Sequence, residues 1–242
     1  MKNERLIRVG LMNLIPDDAR TPIKPIIELW EQIESFFSSY RTEARAYDLL
    51  KLAEYQVDLD ASQVINDLRF TDEFNNTTSD QDYLLNKIKL EDEQKCGLTL
   101  NFRLTPLNQA ARDCPHTQQR LLEMLLQQIF VAANLCIPGA SKLYKITYPD
   151  KASALPPSLH CFYFEDCARF AREDGWPEYK TLPFEDAWNW LIACGVHDLD
   201  IAKTSVQRAI FSLLELARYE EFNLAEVFYI SQALEGLLIS RS

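Results

Sequence analysis

The sequence is poor in glycine and histidine, with only 6 Gly and 3 His in 242 residues. With so few glycines, a loop that cradles phosphate groups is not expected. The signatures G-x-G-x-x-G, G-x-x-x-x-G-K-[ST] and G-x-S-x-G do not occur, and neither does the zinc-protease signature H-E-x-x-H. These absences argue against the nucleotide-binding, hydrolase and metalloprotease classes that carry those motifs.

Positive charge and long apolar runs are scarce as well. The chain has 25 Lys and Arg against 36 Asp and Glu, which gives a net charge of -11. Such a surface does not neutralise many phosphates, so any contact with RNA must be local. The densest basic group near a helix, formed by Arg41, Arg45 and Lys51, is better explained as a solvated face.

No run of about 18 uninterrupted apolar residues is present, so we expect no membrane-spanning helix. The amino-terminal segment "MKNERLIRVGLMNLIPDD" is interrupted by Arg8 and lacks the cleavage site of a signal peptide. The sequence therefore predicts a cytoplasmic protein.

The cysteines do not form the pattern of a disulfide framework or a zinc site. They are even in number but widely spread, which predicts reduced, mostly buried thiols: Cys96, Cys114, Cys136, Cys161, Cys167 and Cys194. Two groupings, Cys114 with His116 and His160 with Cys161 and Cys167, lack the paired close spacing of zinc ligands. We expect neither a metal nor a cofactor.

The three histidines, His116, His160 and His197, are of a residue type that serves as a general base near neutral pH. A Cys/His nucleophilic pair through Cys114 or Cys194 would make the protein a small-molecule hydrolase. No spacing in the sequence singles out such a pair.

What the chain does contain is an ordinary apolar content of 47%, enough for a substantial core. The patterning predicts an α+β protein with a mixed α/β region over residues 1–183 and an all-helical domain over residues 184–242. The boundary is placed near Pro183 because only helical patterns follow "TLPFEDAWNWL".

Strands are predicted at "RLIRVGLMNLI" and at "LTLNFRL", where Leu98, Leu100, Phe102 and Leu104 alternate with polar residues, and later at "LYKITY" and "LHCFYF". One helix is predicted from Ile26 to Tyr40 and a buried one after Pro115. Positions 43 to 70 are interpreted as short helical patterns, and the polar segment from Thr71 as a surface loop.

The apolar spacing in the carboxy-terminal region predicts two helices, one from about Ile201 to Tyr219 and one that begins at Asn223. Asn223 and Glu226 have the spacing of a capping box. Each helix has a wide apolar arc, so both faces cannot be covered by the other helix alone. The remaining face must pack on the first region, on helices beyond residue 242, or on a second copy of the chain.

Glu235 and Arg208 are the candidate site residues of this region. Glu235 lies among Leu234, Gly236 and Leu237, so on a doubly packed helix it would need a partner or a raised pKa. A rim position in solvent is the alternative. Arg208 on the preceding helix is a candidate ion-pair partner, and a solvated arginine is its alternative.

The segments "FVAANLCIPGASKL", "FEDAWNWL" and "SVQRAIFSLLELARYEEFNLAEVFYISQALEGLL" together resemble bacterial proteins with an Apea-like domain of the HEPN superfamily. The resemblance covers about the last 110 residues and concerns pattern and order. It implies a mixed α/β region before a helical domain whose second helix carries an alanine, leucine, glutamate phrase, and here only Glu235 matches a position near the family's site.

Active HEPN members are metal-independent ribonucleases whose signature is an arginine, four to six residues, then a histidine. The resemblance implies that the histidine activates the ribose 2′-hydroxyl and the arginine binds the scissile phosphate. This chain has no such pair, because Arg112 and His116 are separated by three residues and lie in the wrong region.

In the family the signature follows the glutamate phrase, and this sequence stops at Ser242. The expectation is either a truncated chain or a member without the nuclease helix. The first hypothesis is a HEPN-like protein of a bacterial defence, stress or toxin–antitoxin system, directed at RNA in its complete form. The alternative is a non-enzymatic interaction protein that binds a protein partner, or a second copy of itself, through the carboxy-terminal helices. Whether this chain is an enzyme stays open.

Overall fold

The computed structural model describes residues 5–12, 23–39, 42–48, 51–77, 98–113, 117–137, 145–147, 181–196, 202–216, 228 and 230–235. Within these ranges the chain forms strands and helices of an α+β fold.

The strands are β1 Arg5–Met12, β2 Thr42–Asp48, β3 Lys51–Asp60, β4 Leu98–Pro106 and β5 Lys145–Thr147. The helices are α1 Ile23–Ser39, α2 Ser62–Thr77, α3 Gln109–Asp113, α4 Thr117–Cys136, α5 Phe184–Ala193 and α6 Ser205–Leu216. Phe228 and residues 230–235 are also helical.

The strands form one sheet in the order β2-β3-β4-β1-β5, and all of its pairings are antiparallel. The predicted strand "LTLNFRL" lies at its centre as β4. Leu100, Phe102 and Leu104 are fully buried, which confirms the alternation for these residues. Arg103, between them, is exposed and lies near Asp58 of β3, with 3.8 Å between the charged atoms. One face of the sheet is therefore part of the core, and the other carries exposed side chains that include Arg103, Asp58 and Leu6.

Helices α1 and α4 complete the core. The predicted apolar positions of α1 from Ile26 to Phe37 are buried, and so are most described side chains of α4, as expected for a helix with apolar residues nearly all round. Trp30 of α1 and Phe130 of α4 meet edge to face with ring centroids 6.4 Å apart. These contacts hold the two helices together in one apolar layer.

The start of α2 is held by carboxylates. Asp60 accepts hydrogen bonds from the backbone N–H (3.0 Å) and the hydroxyl (2.6 Å) of Ser62, and Glu34 of α1 accepts one from the N–H of Ala61 (2.9 Å). The Ser62 hydroxyl, followed by its N–H, keeps the pKa of Asp60 below its ordinary value. Negative groups at this end also complement the helix dipole.

Two expectations for this region are wrong. Positions 43 to 60 were interpreted as helical patterns, but their described residues belong to the antiparallel strands β2 and β3. Ala53, Tyr55, Val57 and Leu59 bury one face of an extended strand. Residues 71–77, taken as a loop, continue α2. Val64, Ile65 and Leu68 anchor that helix in the core, and extending a nucleated helix costs little per residue.

Of the later predicted strands, "LYKITY" contributes β5, and "LHCFYF" lies outside the described residues. The boundary at residue 183 stays a prediction. Phe184 and Trp188, just beyond it, belong to the same buried cluster as α1 and α4.

Candidate functional site

The region that carried the predicted site begins with α5, whose first turn is attached to α1. The backbone N–H of Phe184 donates a hydrogen bond to Oε1 of Gln32 (3.0 Å). Pro183 precedes the helix, and Glu185 and Asp186 lie in its first turn, where their charge favours the positive end of the helix dipole. The position of α5 is therefore fixed by α1.

An aromatic cluster packs α5 on α1. Phe184 and Trp188 stack with their ring centroids 5.7 Å apart. Trp188 meets Phe37 edge to face, with 5.2 Å between the ring centroids. The ring centroid of Phe36 lies 5.5 Å from that of Phe184. The two tryptophans of "AWNWL" have different surroundings, since Trp188 is buried and Trp190 is 46% exposed.

The end of α5 has a Schellman geometry. Gly195, with a φ of 71°, donates to the carbonyl of Ile192 (2.8 Å), and the N–H of Val196 reaches the carbonyl of Leu191 (3.3 Å). Val196 and Leu191 are both buried, which supplies the apolar contact of this motif. Glycine is suited to the position because the left-handed backbone is free of a Cβ penalty.

Gln207 connects the end of α5 to the start of α6. Its Nε2 donates to the carbonyl of Cys194 (2.7 Å), while its Oε1 accepts from the N–H groups of Lys203 (2.8 Å) and Thr204 (3.0 Å). The Thr204 hydroxyl accepts from the N–H of Gln207 (3.2 Å), so the two residues form a reciprocal capping box. The sequence "TSVQ" contained this signal, but the prediction overlooked it.

Helix α6 then packs its inner face on the core. Ala209 and Ile210 are buried, and Val206 and Phe211 are half-buried against the same cluster. The described part of α6 begins at Ser205, later than the predicted start at Ile201, because Thr204 caps it. The apolar face of α6 therefore packs on the first region of the chain, which was one of the three packing partners expected from the sequence.

The last described helical segment presents large apolar side chains outward. Phe228, Ile230 and Leu234 are 59%, 38% and 54% exposed, while Ala233 is buried. Ile230 and Leu234 lie one helical turn apart and so share a side. We call Ile230 and Leu234 the C-terminal apolar surface. Phe228 lies about 120° from Leu234 around the helix and is not part of it. The expected capping box of Asn223 and Glu226 lies outside the described residues.

The two predicted site residues, Arg208 and Glu235, are both described, and their pairing stays a prediction. Arg208 and Glu235 are both exposed, as in the rim and solvated alternatives. No hydrogen bond or ion pair joins their side chains, both of which belong to the described part of the chain. The backbone N–H of Arg208 donates to the carbonyl of Thr204 in the first turn of α6.

The two described cysteines are poor nucleophiles. Burial raises the pKa of Cys136 to about 12, with a further contribution from the charge of Asp186. Burial also raises the pKa of Cys194. A thiol with a raised pKa is protonated at neutral pH, so the arrangement disfavours the Cys194 version of the hydrolase hypothesis. Cys114 and all three histidines lie outside the described residues.

Within the described residues, no group of three or more histidine, cysteine or acidic side chains has the geometry to hold a metal ion. No helix in that part of the chain is long and apolar enough to cross a membrane.

Comparison with known proteins gave no family model that matches the chain, and no curated protein or solved structure that matches it.

Proposed function

We propose that the chain is a non-enzymatic interaction protein whose C-terminal apolar surface binds a protein partner. The supporting observation is the exposure of Ile230 and Leu234 on one side of a short helical segment. Single exposed apolar residues are common on protein surfaces. Two large ones that lie one helical turn apart, and so adjoin each other, are more typical of a contact surface.

The energy available at this surface fits partner binding. Covering the exposed part of each side chain is worth on the order of 1 to 2 kcal/mol at about 25 cal/mol per Å². Among residues 228 and 230–235, which the structure describes, only the short side chain of Ala233 is buried. The exposed parts of Ile230 and Leu234 are the apolar area that a second protein would cover.

The described chemistry favours binding over catalysis. Arg208 and Glu235 are exposed, and the described thiols have raised pKa values. The proposal places the protein in the cytoplasm, as a HEPN-like component of a bacterial defence, stress or toxin–antitoxin system. In that setting the chain would contribute binding, and RNA-directed activity would belong to a form with the arginine–histidine signature.

Photo-crosslinking tests the binding proposal. A photoreactive amino acid at position 234 is expected to crosslink a protein partner in the cells that express the chain. The matched control carries it at Gln232, which is also exposed but is rotated by about 160° around the helix. Equal crosslinking at both positions would contradict a specific surface.

Incubation with RNA tests the competing enzymatic reading. The purified chain with a metal chelator is expected to leave single-stranded RNA intact, because no arginine–histidine signature is present. Cleavage that is lost in Glu235→Gln or Arg208→Ala would overturn the non-enzymatic proposal and assign these residues to the reaction.

A further inference from the structure

Strand β2 lies at one edge of the sheet. Among the described strands it is hydrogen-bonded only to β3, whereas β3, β4 and β1 each have a neighbour on both sides. An edge strand presents a row of backbone N–H and C=O groups that another strand can pair with. The opposite edge, β5, is only three residues long.

The register shows which β2 residues point these groups outward. The N–H of Leu107 donates to the carbonyl of Glu54 (2.8 Å), so even-numbered residues of β3 bond to β4. The odd-numbered residues of β3 then bond to β2, and their partners there are even-numbered, as in the pair of Ala44 and Tyr55. Positions 43, 45 and 47 therefore direct their N–H and C=O groups away from the sheet.

Among twofold axes at positions 43 to 45, charge favours one way of pairing this edge with a copy of itself. The outward N–H and C=O groups of β2 in one copy must bond to those of β2 in the other copy. Odd-numbered positions of one β2 strand must therefore lie opposite odd-numbered positions of the other. A twofold axis at position 43 or 45 would place two Glu43 or two Arg45 residues opposite each other, which is unfavourable. An axis at Ala44 places Glu43 opposite the partner's Arg45 twice.

The residues at that axis suit a close approach. Ala44 would face its own copy across a non-hydrogen-bonded pair, where Cα atoms are only about 4.5 Å apart and a small side chain fits. Glu43 is exposed and Ala44 is buried on the core side of the sheet. Charged side chains usually prevent an edge from pairing, but this order of charges disfavours some registers and favours one.

We propose that two copies of the chain pair antiparallel through β2, with the twofold axis at Ala44, and so form a continuous ten-stranded sheet. Glu43 of each copy then lies opposite the partner's Arg45, and the two pairs exchange four backbone hydrogen bonds. This contact is separate from the C-terminal apolar surface and does not depend on the proposed function.

Sedimentation equilibrium of the full chain tests the pairing by charge reversal. The wild type is expected to dimerise below about 100 µM. Glu43→Arg brings like charges together at both pairs and should weaken the dimer at least tenfold. The double variant Glu43→Arg with Arg45→Glu should restore much of the affinity. A monomeric wild type, or a double variant no tighter than the single one, would overturn the proposal.

A backbone variant tests the outward N–H groups directly. Glu43→Pro removes an outward donor and leaves the β2–β3 hydrogen bonds in place, so it should give a folded monomer, with folding checked by circular dichroism. Leu234→Asp should leave the dimer unchanged. If Leu234→Asp dissociates the dimer and the position 43 variants do not, the contact lies at the C-terminal apolar surface and the β2 pairing is wrong.

Discussion

At the scale of single residues, Gln207 shows how one polar side chain organises this region. It is 7% exposed and bonds to backbone groups of both α5 and the α6 cap. The capping half of this role follows from the spacing of Thr204 and Gln207 in the sequence. The bond to Cys194 depends on how α5 and α6 pack, so no local pattern indicates it.

Replacement of Gln207 should therefore destabilise the fold through the loss of two interactions. Gln207→Ala removes the cap and leaves the Cys194 carbonyl without its donor, and should lower the free energy of unfolding by about 1 to 3 kcal/mol. Gln207→Glu keeps an acceptor for the cap but places a carboxylate oxygen against the Cys194 carbonyl, so it should also lower the free energy of unfolding. Urea denaturation measures both, with exposed Arg208→Ala as a control expected within about 0.5 kcal/mol. Equal stability of all three variants would contradict the assigned bonds.

The Cys136 thiol predicts a dependence of stability on alkaline pH. Its folded pKa is raised to about 12, so the folded state retains a proton that the unfolded state loses at lower pH. The contribution is complete below the unfolded pKa and is lost as pH rises toward 12. Unfolding curves for wild type and Cys136→Ala should therefore converge as pH rises from about 9 to about 11. A constant difference over this range would show that the thiol ionises normally.

At the scale of elements, patterning predicted the long, strongly periodic segments and missed the β2–β3 hairpin. The alternation of Ala53, Tyr55, Val57 and Leu59 was available in the sequence. It was masked by the helix-forming residues around it and by the connection between the strands. Leu49 and Leu50 separate the paired residues Asp48 and Lys51, and they lack the Asn-Gly or Asp-Gly signal of a two-residue turn.

The packing of α5 gives a prediction at this scale. Trp188 contacts rings of α1, so Trp188→Ala should lower the free energy of unfolding by about 3 to 5 kcal/mol. Trp190→Ala, two residues away and half-exposed, should change it by about 0.5 kcal/mol or less. Near- and far-ultraviolet circular dichroism should give one shared transition. Two transitions, with only one shifted by Trp188→Ala, would mean that α5 unfolds separately from α1.

At the scale of the whole molecule, the sequence was sufficient for the α+β class but did not indicate how the carboxy-terminal helices are covered. The apolar arcs showed that α6 needed a partner, and the core of the first region supplies it. Which side of the last segment would remain exposed depends on tertiary packing, as the burial of Ala233 beside exposed Leu234 shows. The exposure of Glu235 also depends on tertiary packing. The sequence left open whether its side chain is buried between two packed surfaces or lies at the rim in solvent.

The affinity of the crosslinked partner for the purified chain tests the central claim most directly. Calorimetric titration should show at least a tenfold loss of affinity for Leu234→Asp, because the charge would be buried in an apolar contact. Gln232→Asp adds the same charge at an exposed polar position and should bind within about twofold of wild type. Wild-type affinity in Leu234→Asp would contradict the claim that the C-terminal apolar surface binds the partner.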